Sequence, residues 1–431
     1  MTMMNTQNST DRIYNFSAGP STLPESVLEQ AREDILNIQG TGIGVLEHSH
    51  RGATITEVFT ETLDLCRELS GVGDEHEILF LSGGGSHHAA MLAMNFLPEG
   101  RTGDYLLTGN WARVAKEYAD SYGKTHVAFD GKETVYDRVP GDEEIALSED
   151  PAYVHYCSNN TIYGTSFTAP PKTDSPLFVD MSSEMFSRTW DYSGHAVSYA
   201  CAQKNLGPAA GSCLIVRKDL LERTNHGLPK IFSYAANAEK ESRLNTPPVF
   251  TIYMMGLVFK WIKEQGGVAE LEVRNREKAG IIYDAIDGSG GFWMAHADHD
   301  SRSMMNIPFR TNDPEMDKRA REKQKDEEIR REARRKAREA RGNYSGGGYG
   351  GRAAAGMNRA FLEDDEPGTE YPIIDEKEDP LAARIDELKP ATTYLAILKF
   401  TPRTRRRMVR ACGRGVAGCV ESKFLDVTPA R

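Results

Sequence analysis

The chain has 431 residues, with 52 Lys and Arg against 63 Asp and Glu and a net charge of −11. Such an acidic body is unsuited to sequence-independent nucleic-acid binding, which relies on cations to displace counterions. The length excludes a single small module, and an apolar share of 39%, a little under the globular norm, predicts that part of the chain lacks a core.

Residues 1–11 are polar, with no apolar stretch of the kind a signal peptide needs, and read as a disordered N-terminus. From residue 12 to 310, strand-like and helix-like segments alternate. Residues 23–36 carry Val27, Leu28, Ala31 and Ile35 at helical spacing, with Pro24 where a first turn tolerates it. Residues 77–82 form a short apolar run into Gly83, Gly84 and Gly85, and residues 89–97 read as a helix. Residues 105–108, 152–156, 177–180 and 212–216 are further short runs of β-formers, and 250–262 read as a buried helix. Short buried strands separated by helices predict an α/β fold whose mostly parallel sheet is covered on both faces. Ligands of such folds gather at the carboxyl ends of the strands. No run approaches the roughly 20 apolar residues of a membrane span, and six scattered cysteines without a CxxC pair point to a reducing, cytoplasmic setting.

Beyond residue 310 the composition changes. Residues 317–341 hold 19 charged residues in 25, and 343–356 are Gly-rich. The expected organisation is a large domain over 12–265, the start of a smaller α/β domain over 266–310, disorder over 311–380 and an atypical segment over 381–431.

Three places carry candidate chemistry. A strand feeding the triple glycine into a helix offers backbone N–H groups to a phosphate, with Ser86 at hand; the plainer alternative is a simple turn, with His87 and His88 as ordinary helix-start residues. Lys204 follows an apolar run and precedes Gly207 and Pro208, so it belongs at a strand end, where a desolvated lysine becomes a nucleophile. Asp180 closes the 177–180 strand, and a carboxylate there needs a partner. A protonated pyridinium nitrogen is one such partner, and a helix N-cap role is the alternative.

Taken in order, Tyr14-Asn-Phe-Ser-Ala-Gly-Pro20, Glu47-His-Ser-His-Arg51, Gly83-Gly-Gly85, Ser158-Asn-Asn-Thr-Ile-Tyr-Gly164, Asp180-Met-Ser-Ser183, Ala202-Gln-Lys-Asn-Leu-Gly-Pro208 and Asn245-Thr-Pro-Pro248 resemble the phosphoserine aminotransferase family. The resemblance spans about residues 12–310. It implies a fold-type I enzyme dependent on pyridoxal 5'-phosphate, with glutamate and 3-phosphohydroxypyruvate as substrates. It also implies a homodimer with shared sites, no nucleic-acid or membrane partner, and no metal. By the same resemblance, Lys204 matches the lysine that bonds the cofactor, and Asp180 the partner of its ring nitrogen. Trp111 matches the stacking aromatic, Thr161 a contact near the phenolic oxygen, and Gly85, Ser86 and Gln203 phosphate ligands. Asn245 and Thr246 match phosphate contacts reaching across from the partner subunit. Arg51, assisted by His50, matches the receiver of the substrate carboxylate. The family's closing Gly-His-Arg-x-x-Gly-Gly-x-Arg-Ala-Ser-x-Tyr-Asn segment has no counterpart here. Replacement cations from Arg403–Arg407, an impaired cofactor-binding homologue and another class-V transaminase therefore stay open, although Asn159, Asn160, Thr161 and the 47–51 segment favour the phosphoserine reaction.

Overall fold

A computed structural model describes residues 15–225 and 227–319. The expectations for residues 1–14 and 320–431, including the charged segment, the Gly-rich linker and Arg403–Arg407, lie outside the described residues.

In chain order the elements are α1 (Glu25–Asn37), α2 (Ala53–Ser70), β1 (His76–Ser82), α3 (Gly85–Phe96), β2 (Thr102–Leu107), α4 (Asn110–Ala119), β3 (Lys124–Asp130), β4 (Tyr153–Cys157) and β5 (Leu177–Asp180). They continue with β6 (Val197–Cys201), α5 (Ala202–Asn205), β7 (Gly211–Arg217), α6 (Lys218–Leu221), α7 (Tyr234–Glu239), α8 (Val249–Glu264), α9 (Gly267–Asp287), β8 (Trp293–Ala295) and β9 (Phe309–Thr311). Seven strands form one sheet in the order β1-β7-β6-β5-β4-β2-β3. Strand β7 runs antiparallel to both β1 and β6, and the β6–β5–β4–β2–β3 pairings are parallel.

The strand alternation divides the core into two layers. Val154 and Tyr156 of β4 face one side with Val179, Ile215, Ile55, Phe59 and Phe259, beneath α2 and α8. Tyr153 and Cys157 face the other with Phe178, Tyr199, Leu214, Leu92 and Ala115, beneath α3 and α4. Burying each Phe or Leu contributes about 1.5–3 kcal/mol, and both faces are needed because strands covered on two sides expose no solvent-facing row. Helix α8 is apolar nearly all round and packs tightly on α2: a Cβ on Gly256 would sit 2.4 Å from Thr62 Oγ1. A smaller cluster of Ala279, Ile286 and Ile307 lies with α9 and the β8–β9 pair.

Helix α3 begins at Gly85, four residues before the apolar pattern predicts, because the turn geometry and not side-chain periodicity sets its start. Gly83 has φ +102°, and a side chain there would strike the His87 ring at 2.6 Å. The chain can make this turn only with glycine.

Candidate active site

The carboxyl ends of β1, β4, β5 and β6 converge. Lys204 lies in α5, a single helical turn directly after β6. Its Nζ donates to Thr161 Oγ1 at 2.6 Å and stands 5.6 Å from the centre of the Trp111 ring. Trp111 occupies the first turn of α4 and is 41% exposed, so one face of a large flat ring is open to stacking. Segment 17–22 folds over the lysine's backbone: Ser21 N donates to Gln203 O at 2.9 Å, and a Cβ on Gly19 would touch Lys204 Cγ at 3.0 Å.

Asp180 ends β5 between Cys157 of β4 and Tyr199 of β6. Its Oδ1 accepts from Ser182 N at 2.9 Å, while Ser182 Oγ accepts from Cys201 N at 3.1 Å. The carboxylate is therefore oriented by the turn that follows it, and that turn is pinned to the end of β6. Burial raises the Cys157 thiol well above its usual value, Asp180 adds to that rise, and Lys204 opposes it. The first turn of α3 stands over this carboxylate: a Cβ on Gly85 would lie 4.0 Å from Asp180 Oδ2 and 3.6 Å from Ser182 Oγ. Helix-start N–H groups, a carboxylate, an amine and an aromatic face thus border one space. Ser86 is exposed in that first turn. His88 is no ordinary helix-start residue. It is buried between Tyr234 OH (2.8 Å) and Ser212 Oγ (2.7 Å), and burial lowers its pKa to about 3.

The 158–164 loop fixes these parts to each other. Asn160 Nδ2 donates to Thr108 Oγ1 at 3.2 Å and to Thr165 Oγ1 at 3.0 Å, tying Thr161 to the turn that carries Trp111. Asn159 Nδ2 donates to Ser183 Oγ and to Asn306 Oδ1, both at 2.7 Å, tying the loop to the Asp180 turn and to residues 301–309. Bonds spanning 52 and 147 positions leave no trace in local spacing, and so the roles of Asn159 and Asn160 escape sequence reasoning.

A second group forms elsewhere. Arg51 lines a pocket with Glu239, Lys240, Glu241, Arg243 and Leu244, and Asn245 and Thr246 follow directly, both exposed, ahead of α8. His50 carries a buried Nε2 without a hydrogen-bond partner. None of the Lys204 group lines this pocket. The structure thus gathers Gly85, Thr161, Asp180, Gln203, Lys204 and Trp111 in one place, with Ser86 in the adjoining first turn of α3; Arg51 lines the other pocket, His50 precedes it in the chain, and Asn245 and Thr246 follow the lining residue Leu244. Among the described residues, no group of three or more His, Cys, Asp or Glu could hold a metal ion, and no helix is long and apolar enough to cross a membrane.

Residues 13–326 match the family model described as Aminotransferase class-V. The phosphoserine aminotransferase of Geobacillus kaustophilus (strain HTA426) is 46% identical over 307 residues, covering 71% of this chain and 85% of that protein. That of Lysinibacillus sphaericus (strain C3-41) is 44% identical over 310 residues, covering 72% and 86%. Among solved structures, the phosphoserine aminotransferase from Bacillus circulans subsp. alkalophilus aligns with a TM-score of 0.71 at 43% identity, covering 74% of this chain and 88% of its own. A pyridoxal-phosphate-bound phosphoserine aminotransferase from Trichomonas vaginalis aligns at 0.68 and 35% identity, over 72% and 89%. With its strand-end lysine, carboxylate and glycine turn in one place, this chain belongs to the phosphoserine aminotransferase family of class-V aminotransferases.

Proposed function

We propose that this protein is a phosphoserine aminotransferase that uses pyridoxal phosphate to move the amino group between glutamate and 3-phosphohydroxypyruvate, yielding O-phosphoserine and 2-oxoglutarate. The observation that carries the reading is Lys204 Nζ, held 2.6 Å from Thr161 Oγ1 beside the Trp111 ring, in the same space as Asp180 and the α3 start. These residues fit the cofactor's chemistry group for group: N–H donors for its phosphate, a flat face for its ring, a carboxylate for its ring nitrogen and an amine for its aldehyde. When bound, pyridoxal phosphate supplies an electron-accepting ring that makes an amino acid's α-proton removable.

The chain's own residues do the rest. Lys204 would hold the cofactor through its amine, and its Nζ would take and return the α-proton of the amino acid. Thr161 keeps that Nζ directed. Asp180, oriented by Ser182 N, keeps a proton on the ring nitrogen. Trp111 fixes the ring plane, and Gly85, Ser86 and Gln203 receive the phosphate at a helix start suited to anions.

We assign Asn245, Thr246, His50 and Arg51 to the neighbouring site of a homodimer. That none of the Lys204 group lines the pocket of Arg51 supports a site completed by a second copy, and closed two-fold symmetry would then place two equal sites in each dimer. Cytoplasmic serine biosynthesis is the setting that suits this chemistry. The test is to mix the purified, cofactor-loaded protein with glutamate and 3-phosphohydroxypyruvate and follow the cofactor spectrum together with O-phosphoserine. Transfer between these two substrates is expected. Transfer with glyoxylate as acceptor and none with 3-phosphohydroxypyruvate would overturn the substrate assignment.

A further inference from the structure

The Arg51 pocket holds a second guanidinium, Arg243, whose setting differs from that of a solvent-exposed arginine. It leaves a turn in which two consecutive non-glycine residues, Glu241 (φ 48°) and Ser242 (φ 63°), occupy the left-handed region. Strained backbone of this kind persists only where its surroundings fix it, and it gathers at ligand sites. Here the anchor is Ser242, buried, whose Oγ accepts from Phe80 N of β1 at 2.9 Å. The arginine itself is also held. Its Nη1 donates to Thr56 Oγ1 at 3.0 Å in the first turn of α2, and its guanidinium carbon lies 5.9 Å from the Phe59 ring centre. Its side chain is only 20% exposed, whereas its counter-ion, Glu241, is 73% exposed. Exposed carboxylates make weak, exchangeable pairs.

The rest of the pocket leaves this cation available. Lys240 is paired with Glu239 at 2.7 Å, and the lining carries Arg51, Lys240 and Arg243 against Glu239 and Glu241, three cations against two acids. A planar guanidinium fixed on one edge presents its other donors to a carboxylate or phosphate in paired bonds. We propose that Arg243 is a second anion-binding residue of this pocket. It takes the remote anionic group that both substrates share in kind, the γ-carboxylate of glutamate and the phosphate of 3-phosphohydroxypyruvate, with Glu241 as the counter-ion that departs. The proposal rests on the phosphoserine aminotransferase reading and on this pocket completing the partner subunit's site.

The test compares full-length, cofactor-loaded Arg243→Met, Arg243→Lys, Glu241→Gln and Arg51→Met proteins with the parent. It measures KM and kcat for both substrates, inorganic phosphate binding by calorimetry, cofactor affinity and melting temperature. Loss of a charge-assisted bond raises KM roughly ten- to hundredfold. Arg243→Met is expected to show that rise for both substrates and an equal weakening of phosphate binding, with cofactor affinity and melting unchanged. Arg243→Lys should recover part of the loss, and Glu241→Gln should tighten phosphate binding. Unchanged KM and phosphate binding in Arg243→Met, beside clear losses in Arg51→Met, would refute the role of Arg243 and leave the activity reading standing. If the parent moves no amino group between these substrates, that reading falls, and phosphate binding by the parent and Arg243→Met decides the anion site alone. If Arg243→Met fails to fold, Glu241→Gln decides: an unchanged phosphate affinity overturns the proposal.

Discussion

Gly109 and Asn160 are expected to be strongly coupled in a double-mutant cycle. Gly109 caps α4 with φ 174°, extended backbone that any residue adopts, so conformation does not require glycine there. Space does. A Cβ at position 109 would meet Asn160 Oδ1 at 2.6 Å and its Cγ at 3.2 Å. Asn160 is 3% exposed and cannot swing aside without breaking its bonds to Thr108 and Thr165. Both of those threonines are fully buried, and each hydroxyl left unpaired costs about 1–3 kcal/mol. Gly109→Ala should therefore cost roughly 2–6 kcal/mol by that count, or bend the start of α4 and tilt Trp111. Asn160→Ala breaks the same bonds but removes the obstacle, leaving only Tyr163 Cδ2 at 3.3 Å. The double mutant should cost little more than Asn160→Ala alone, so the coupling should come close to the full Gly109→Ala cost, at least about 2 kcal/mol. Urea unfolding of the four proteins measures this, and cofactor titration followed by tryptophan fluorescence reports the Trp111 face. Additive costs in the cycle would show that Gly109 answers to something other than Asn160.

Three further outcomes are expected. Borohydride reduction of the loaded protein followed by peptide mapping should place the phosphopyridoxyl group on Lys204, and label on another lysine would sink that assignment. Replacing Asn245 and Thr246 together by Ala should weaken cofactor affinity, and monomers forced by interface mutation should lose it too; monomers that bind as tightly as the parent would contradict a shared site. Burial holds His88 at about 3 and both His155 and His195 at about 4, each below the usual 6.5. The unfolded chain therefore binds protons that the folded chain refuses, so this stability is complete above pH 6.5 and falls below it. Each histidine should cost about 2 kcal/mol by pH 5, seen as a lower urea midpoint than at pH 7, and His88→Asn should remove part of that slope.

What was legible in the sequence follows from how local each determinant is. Strand β5 is Leu177–Asp180, the residues expected, because a strand buried on both faces must be a continuous apolar run and Asp180 visibly ends it. Strand β3 escaped notice. It is an edge strand, mostly half-exposed, and its Lys124, His126 and Asp130 give no apolar period. The α3 start was misjudged because a glycine turn and not a side-chain stripe defines it, and α5 reads in sequence only as a turn because four residues are too few to show a period. Helix α9 in the 266–310 segment was not foreseen, since it buries just Asn275, Ala279 and Ile286.

The site residues reveal a different limit. Lys204, Asp180 and the glycine turn lie at strand ends, and the order of strands in a parallel sheet brings strand ends together, so their convergence was foreseeable from the fold class. Nothing comparable links Arg51 to Arg243, 192 positions apart (243 − 51). Their meeting depends on α2 packing beside the turn after α7, and that turn is tied to β1 through the Ser242 hydroxyl, which accepts from Phe80 N. A list of matched residues also treats all members alike. The fold separates them, since Arg51 lines a pocket with Arg243 that none of the Lys204 group lines. Sequence pattern therefore carries the type of chemistry, while the packing of α2 beside the turn after α7 decides which distant cations meet.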